Sequence, residues 1–231
     1  MALVLAGGTG SRMGCPKQFI ELLGVPALLY ALRAFEKAPE VARIYIVGDR
    51  GRVEGLVEGG GIRKYSGCAP PGESRSLSAR SGLSIVADVG PETLVLVHDG
   101  SRCLVTPTLV GRVVASMRIS NPDGVIPALP ISDTVKIAMS GTVLETLDRT
   151  KLSTAQTPQA FRLGLLRRVY AGPEERLHAA TDDASLIEEA GGRVSVVEGE
   201  KTNIKLTTPE DLILAEAILS TRHRVREGAE N

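Results

Sequence analysis

The sequence Ala2-Leu-Val-Leu-Ala-Gly-Gly-Thr-Gly10-Ser-Arg-Met-Gly-Cys-Pro-Lys-Gln18 joins a short apolar segment to a glycine-rich loop that carries two cations. The apolar residues Ala2–Leu5 predict a strand. The glycines that follow let backbone N–H groups approach an anion, and Arg12 and Lys17 add positive charge. Ligands of open α/β sheets bind at the carboxyl ends of the strands. The stretch therefore predicts an α/β sheet with a phosphate site at the end of its first strand.

Two familiar glycine motifs do not fit this loop. A P-loop has Lys-Ser or Lys-Thr directly after its last glycine, whereas Cys15-Pro16 follows Gly14. A dinucleotide fingerprint has glycine where Met13 stands and an acid about 20 residues later. The nearest acid at the end of the second predicted strand is Asp49, which is too far along the chain. We therefore predict a triphosphate cradle of a third type. The alternative is a surface turn whose charges are solvated.

Segments with strand-like and helix-like patterns alternate along the rest of the chain. The predicted strands are Ala2–Leu5, Arg43–Val47, Thr93–His98, Gly124–Leu129 and Arg193–Val197. Thr93–His98 is apolar on both faces, which predicts a buried strand in the middle of a parallel sheet. The predicted helices are Pro26–Phe35, Ser76–Ala87, Thr106–Arg118, Leu163–Tyr170, Thr181–Ala190 and Thr208–Arg222. This order predicts a Rossmann-like, doubly wound α/β fold with a mostly parallel sheet. The length of 231 residues fits a single domain over residues 1–231.

One stretch breaks this alternation. Thr134–Leu147 alternates polar and apolar residues on both sides of Ser140-Gly141, which is typical of a hairpin with a glycine turn. We predict a β-arm at about residues 132–152 that projects from the sheet.

Composition excludes several classes of protein. The 27 basic and 27 acidic residues cancel, whereas proteins that grip nucleic acid carry a basic excess. No apolar run reaches the roughly 18 residues of a membrane span. The three cysteines lack the CxxC spacing of zinc sites and favour a reduced, cytoplasmic compartment.

Asp99 is the strongest candidate for a metal ligand. It ends the predicted strand in Val97-His-Asp-Gly-Ser-Arg102, and Mg²⁺ prefers one or two carboxylates plus phosphate oxygens. The alternative is an acid that closes a strand-to-loop turn. His98 points to the opposite face of the strand, and we interpret it as a packed or capping residue rather than a catalytic one.

Other polar residues have both a functional and a structural interpretation. Gly72 and Ser78 lie where a loop runs into a predicted helix, and both could contact a nucleotide base. The alternative is that Ser76 or Ser78 is simply the N-cap of that helix. Arg149 and Lys205 could bind phosphate or be ordinary surface cations. Thr181-Asp182-Asp183 is typical of a helix N-terminus with acids favoured by the helix dipole.

Seven segments, in order along the chain, resemble the 2-C-methyl-D-erythritol 4-phosphate cytidylyltransferase family. They are AGGTGSRMGCPKQF from Ala6, RSLS from Arg75, VHDGSR from Val97, ISDTVK from Ile131, LDR from Leu147 with TPQAF from Thr157, TDDASL from Thr181, and VEGEKTNIKLTTPEDL from Val197. The resemblance implies that methylerythritol phosphate attacks the α-phosphate of CTP with Mg²⁺ as cofactor and pyrophosphate as leaving group. This reaction belongs to non-mevalonate isoprenoid biosynthesis.

The family motifs imply a role for each matching residue. Catalytic roles fall on Arg12 and Lys17 at the triphosphate, and on Arg149 and Lys205 at the acceptor phosphate. The implied nucleotide contacts are Ala6, Gly7, Gly8, Gly10, Gly72 and Ser78. The implied substrate contacts are Asp99, Arg102, Thr134, Arg149, Thr157 and Lys205, with Asp99 also at the metal. In the family the arm crosses to a second subunit, which implies a homodimer in which Thr134 and Arg149 serve the neighbouring site.

Three rival functions remain at this point. Ribitol-5-phosphate cytidylyltransferases have very similar loops, although TDDASL favours methylerythritol phosphate as the acceptor. A glycosyltransferase usually holds metal with Asp-x-Asp, and Asp99-Gly-Ser101 lacks the second acid. A nucleotide-binding module without activity would need the glycine loop but neither Lys17 nor the distant Arg149 and Lys205.

Overall fold

The computed structural model describes residues 1–8, 16–86 and 89–229. The predictions made for Arg12 and Gly10 lie outside these ranges. The described strands are β1 (Ala2–Leu5), β2 (Glu21–Leu22), β3 (Val25–Pro26), β4 (Ile44–Val47), β5 (Tyr65–Ala69), β6 (Leu94–Asp99), β7 (Gly124–Pro130), β8 (Lys136–Met139), β9 (Thr142–Thr146), β10 (Ser153–Ala155), β11 (Gln159–Arg162) and β12 (Val194–Glu198).

Helices connect these strands. They are α1 (Ala27–Lys37), α2 (Arg50–Gly60), α3 (Arg75–Ser84), α4 (Pro107–Ser120), α5 (Leu163–Tyr170), α6 (Glu174–Ala179), α7 (Asp183–Glu189) and α8 (Pro209–Ala229), with short 3₁₀ turns at Lys17–Phe19 and Arg149–Lys151. Within the three described ranges, no helix combines the length and apolar character that a membrane crossing requires.

The central sheet confirms the predicted α/β class. The sheet has eight strands. Seven of them run in the order β10-β7-β11-β6-β1-β4-β5, and the eighth, β12, pairs in parallel with β7. β1 is parallel to both β4 and β6, whereas β10 and β11 are antiparallel to their neighbours. Leu5 pairs with Val47 on one side and with Asp99 on the other. This register brings Ala6, which follows β1, and Asp99 to the same edge of the sheet.

Helices cover both faces of the sheet, as a doubly wound fold requires. Alternate residues of a strand point to opposite faces. Ala2 and Val4 pack with residues of α1, α2 and α4, whereas Leu3 packs with residues of α3, α5, α6 and α7. A third cluster joins α8 to β2 and to the loop after β6. β6 lies between β1 and β11, which agrees with its prediction as a strand that is apolar on both faces.

The predicted arm is present as the antiparallel pair β8–β9. Ser140 and Gly141 both have positive φ, at 50° and 80°, as a tight two-residue hairpin turn requires. Ile137, Met139, Val143 and Leu144 are exposed large apolar residues of this arm. Large apolar residues are thus concentrated on the exposed surface of the arm.

Several predicted boundaries are wrong. α3 begins at Arg75 rather than Ser76, because Ser74 is its N-cap and accepts a hydrogen bond from the N–H of Leu77 at 3.2 Å. The interpretation of Ser76 or Ser78 as the N-cap is therefore wrong. α8 extends past Arg222 to Ala229. The predicted elements also omit α2, β5, α6 and the antiparallel strands β10 and β11.

Candidate active site

Asp99 lies at the centre of an ion-pair cluster at the carboxyl edge of the sheet. Its Oδ1 accepts a hydrogen bond from Arg75 Nε at 2.8 Å, and its Oδ2 accepts one from Lys205 Nζ at 2.6 Å. Burial alone would raise the pKa of Asp99, but Arg75 and Lys205 outweigh it and hold the pKa far below its ordinary value. Asp99 is therefore an anion over the whole physiological pH range.

Lys17, the first residue of the 3₁₀ turn Lys17–Phe19, reaches the same edge. Its Nζ donates to the carbonyl oxygen of Thr207 at 3.1 Å, and Thr207 lies two residues beyond Lys205. The structure thus brings Lys17 to the segment that carries Lys205, whose ammonium pairs with Asp99. Lys17, Lys205 and Arg75 give this edge of the sheet three cations, which suits a polyanionic ligand.

The loop after β1 packs against the loop before α3. A Cβ atom on Gly7 would lie 2.3 Å from Pro71 Cβ, so only glycine permits this close approach. Gln18 fixes the loop from the other side by donating through Nε2 to the carbonyl oxygens of Ala6 at 2.6 Å and Gly8 at 2.9 Å. The backbone predicted to contact the nucleotide at Ala6–Gly8 therefore adjoins Gly72.

Ser78 supports Gly72 in this structure. Its hydroxyl accepts from the N–H of Gly72 at 3.1 Å and lies 3.4 Å from the Gly72 carbonyl oxygen, to which it donates. A side chain at Gly72 would meet Leu77 and the backbone nitrogen of Ser78 at less than 3 Å. Ser78 therefore shapes the loop in which a base contact is predicted.

His98 and Thr157 form a chain of hydrogen bonds that ends at the backbone N–H of Asp99. His98 Nε2 lies 3.1 Å from the Arg102 carbonyl oxygen, which can only accept, so Nε2 carries the proton. In the neutral ring Nδ1 is then the acceptor for the Thr157 hydroxyl at 3.0 Å. The Thr157 oxygen in turn accepts from the N–H of Asp99 at 3.0 Å. The sequence interpretation of His98 as a packed residue is confirmed, because it is fully buried with its ring edge-on to Phe35.

Arg102 ties two segments of the site together. Its guanidinium donates to the carbonyl oxygens of Asn203 at 2.8 Å and Ala155 at 3.2 Å. The buried side chain of Asn203 donates to the Thr157 carbonyl oxygen at 2.9 Å. The segment that carries Lys205 is thereby fixed against the segment that carries Thr157.

Thr134 and Arg149 lie away from this cluster. Both are exposed at the base of the arm, and Arg149 donates to the carbonyl oxygen of Ser132. The structure therefore does not bring these two residues into contact with Asp99 or Lys205.

Several residues of the cluster were not predicted. Arg75, Gln18, Asn203 and the buried pair Tyr170–Asp183 all contact functional residues or their supports. Asp182 behaves as predicted, because it caps α7 by accepting from the N–H of Ser185 at 2.9 Å. Asp183 also lies at the helix end as predicted, in the first turn of α7, and in addition it accepts from Arg75.

The buried histidine predicts a pH dependence of stability. Burial lowers the pKa of His98 from 6.5 to about 4. Between these two values the imidazole of His98 binds a proton in the unfolded chain but not in the folded protein. The free energy of unfolding therefore falls as the pH falls. We expect a loss of about 3 kcal/mol between pH 6.5 and pH 4 in urea unfolding.

The variant His98→Gln is the control for this effect. It keeps a polar side chain without a titrating ring, so its stability should change much less between pH 6.5 and 4.5, above the range in which most carboxylates titrate. The same slope in both proteins would assign the effect to other groups.

Comparisons with known proteins point to one family. Residues 1–221 match the family model described as IspD, 2-C-methyl-D-erythritol 4-phosphate cytidylyltransferase. A 2-C-methyl-D-erythritol 4-phosphate cytidylyltransferase of Rubrobacter xylanophilus is 62% identical over 224 residues, covering 97% of this chain and 96% of that protein. The enzyme of the same name from Geobacillus kaustophilus is 41% identical, covering 96% and 97%.

A solved structure agrees with these matches. The crystal structure of 4-diphosphocytidyl-2C-methyl-D-erythritol synthase from Anaerococcus prevotii has a TM-score of 0.77 and 32% identity, covering 95% of each chain. None of these proteins bears the name of a ribitol phosphate enzyme or of a glycosyltransferase.

Proposed function

The chain belongs to the 2-C-methyl-D-erythritol 4-phosphate cytidylyltransferase family, and from this premise we propose how its residues carry out the reaction. The enzyme joins CTP and 2-C-methyl-D-erythritol 4-phosphate in isoprenoid biosynthesis. One observation supports the assignment of roles: Lys205 pairs with Asp99 at the carboxyl edge of the sheet, and Lys17 contacts Thr207 in the segment that carries Lys205.

The chemistry requires positioning and charge stabilisation rather than a covalent intermediate. An oxygen of the acceptor phosphate attacks the α-phosphorus of CTP, and the bond to the bridging oxygen breaks with its electrons passing to pyrophosphate. The attacking oxygen is already a nucleophile, so no general base is needed. The barrier lies in bringing two polyanions together and in the charge that builds on the triphosphate. Lys17, with Arg12 from the loop outside the described residues, stabilises that charge.

Asp99 fits a role beside Mg²⁺. Within residues 1–8, 16–86 and 89–229, no group of three acidic, histidine or cysteine side chains could hold a metal alone. A single carboxylate that shares the ion with triphosphate oxygens is an arrangement Mg²⁺ accepts. Bound there, Mg²⁺ would neutralise part of the phosphate charge. Because Lys205 now occupies Asp99 Oδ2, it would have to leave that oxygen, and its ammonium would then be available for the acceptor phosphate.

A homodimer would complete the acceptor site. The arm exposes Ile137, Met139, Val143 and Leu144, with between 43% and 65% of each residue accessible. We propose that this surface packs on a second copy and that Arg149 of the partner subunit binds the acceptor phosphate. We also expect a cytoplasmic enzyme, because Cys68 and Cys103 are free, buried thiols.

Pyrophosphate release tests the proposed function. The assay uses the four nucleoside triphosphates, methylerythritol phosphate and ribitol phosphate, with and without Mg²⁺. We expect turnover with CTP, methylerythritol phosphate and Mg²⁺ together. Faster turnover of ribitol phosphate, or CTP binding without pyrophosphate release on either acceptor, would contradict it.

Arg149→Ala is expected to raise KM for methylerythritol phosphate much more than KM for CTP. The reason is that the guanidinium contacts only the acceptor in the proposed site, so its loss removes binding of that substrate. Steady-state kinetics with each substrate varied in turn measure the two constants. Equal increases in both would contradict the role.

Mixing subunits tests whether Arg149 acts across the dimer. A dimer of one Lys17→Ala and one Arg149→Ala subunit would contain one doubly altered site and one intact site. An equal mixture should therefore regain about a quarter of wild-type activity at low acceptor concentration. No gain over the separate variants would place both residues in the same subunit's site.

A further inference from the structure

Asp183 is a fully buried carboxylate whose position at the start of α7 does not explain it. The N-cap of this helix is Asp182, whose Oδ1 accepts from the N–H of Ser185. Asp183 has no accessible surface. Burying a carboxylate is unfavourable unless it is paired and hydrogen-bonded, so its partners indicate what it does.

Those partners are one cation and one phenol. Arg75 Nη2 donates to Asp183 Oδ2 at 2.8 Å, and the buried Tyr170 hydroxyl donates to Oδ1. Burial and the Asp183 charge both raise the pKa of Tyr170 well above its ordinary value, which keeps the phenol protonated as a donor. Both carboxylate oxygens are therefore engaged inside the protein.

Arg75 links this buried acid to the candidate active site. Its Nη2 is held by Asp183 while its Nε donates to Asp99 Oδ1 at 2.8 Å. Cations and anions alternate along the chain Asp183, Arg75, Asp99 and Lys205, and their formal charges cancel. Two anchors on a planar guanidinium fix its orientation, whereas a single anchor lets it pivot. Without the Asp183 charge, Arg75 would also bring its full charge to bear on Asp99.

We propose that Asp183 is a positioning residue for cytidylyl transfer: it holds Arg75 so that Asp99 keeps the alignment and charge balance that the nucleotide and acceptor require. Tyr170 fixes Asp183 but does not touch Arg75's bridge to Asp99. This inference rests on the proposed function, because Asp99 matters here only as part of that site.

The variant Asp183→Asn keeps the shape of the side chain and removes its charge. We expect kcat to fall about 10-fold or more, with little change in KM for CTP. The matched control is Asp182→Asn, which removes the neighbouring charge from the same helix end and leaves Arg75 untouched. That control should retain kcat within about threefold, because asparagine is also a good N-cap.

A double-mutant cycle separates positioning from general destabilisation. Arg75→Lys keeps the positive charge but lacks the fork that bridges two carboxylates. In that background we expect Asp183→Asn to lower kcat by less than about twofold, since the bridge is already lost. An equal loss in both backgrounds, or wild-type kcat for Asp183→Asn, would overturn the proposal.

Arg75→Lys alone decides the question if Asp183→Asn does not fold. It keeps the positive charge but lacks the fork that bridges Asp183 and Asp99, so kcat should fall about 10-fold or more. Wild-type kcat for Arg75→Lys would overturn the proposal. Failure of the wild-type enzyme to release pyrophosphate from CTP and methylerythritol phosphate would overturn the proposed function and this inference together. An active wild type with an unaffected Asp183→Asn would overturn the inference alone.

Discussion

Replacing Lys17 with alanine is expected to lower kcat by about 10²–10³ while the fold stays intact. The ammonium of Lys17, at the start of the 3₁₀ turn Lys17–Phe19, donates to the backbone carbonyl of Thr207. Its loss removes one placed charge from the region where negative charge builds in the transition state. It leaves no buried carboxylate unpaired, since Asp99 keeps Arg75 and Lys205. Pyrophosphate release at saturating substrates measures the rate, and thermal unfolding checks the fold.

The control for this variant is Lys37→Ala. Lys37 is exposed at the end of α1 and outside the ion-pair cluster, so its loss should leave kcat unchanged within about twofold. Near-normal kcat for Lys17→Ala would remove Lys17 from the mechanism.

Asp99→Asn is expected to lower kcat by about 10²-fold or more and to weaken Mn²⁺ binding in the presence of CTP. The substitution removes the carboxylate that we place beside the metal, and it leaves Lys205 without its partner. Arg75 keeps its pair with Asp183, so we expect a loss of about 1–3 kcal/mol in the free energy of unfolding. Kinetics, electron paramagnetic resonance of Mn²⁺ and urea unfolding measure the three effects.

Asp123→Asn is the matched control for Asp99→Asn. Asp123 precedes β7 and accepts from the N–H of Arg193 at 2.8 Å, on the outer part of the sheet. It should change neither kcat nor Mn²⁺ binding. Unaltered Mn²⁺ affinity in Asp99→Asn would show that the metal is held elsewhere.

The sequence predicted the parts of the fold whose local pattern agrees with their final environment. The apolar runs of β1 and β6 and the Ser140-Gly141 turn each carry a signal within a few residues. α2 was missed because Gly51, Gly55, Gly59 and Gly60 lower its helix propensity. Only Val53 and Val57 of that helix are buried, so its apolar stripe is narrow.

The antiparallel strands β10 and β11 were missed for a different reason. They are three and four residues long, and a proline at position 158 lies between them. Their pairing with β6 and β7 is set by contacts distant in sequence, which no local pattern encodes.

In the candidate site, too, the residues with a local sequence signal were predicted and those that depend on distant contacts were not. Asp99 was predicted because it ends a buried strand, and Lys205 was named because of the family resemblance. Arg75 and Asp183 are separated by more than a hundred positions, and their ion pair exists only because α3 and α7 pack on the same face of the sheet. A sequence signal was present in the paired acids Asp182 and Asp183, since a helix needs only one of them as its N-cap.

A crystal structure of the enzyme with CTP and Mg²⁺ tests the assignment of the site most directly. We expect the triphosphate between Lys17 and the glycine loop, with the metal in contact with Asp99 and with Lys205 moved away from Asp99 Oδ2. A nucleotide bound elsewhere, with Lys17 and Asp99 left free of phosphate and metal, would contradict it.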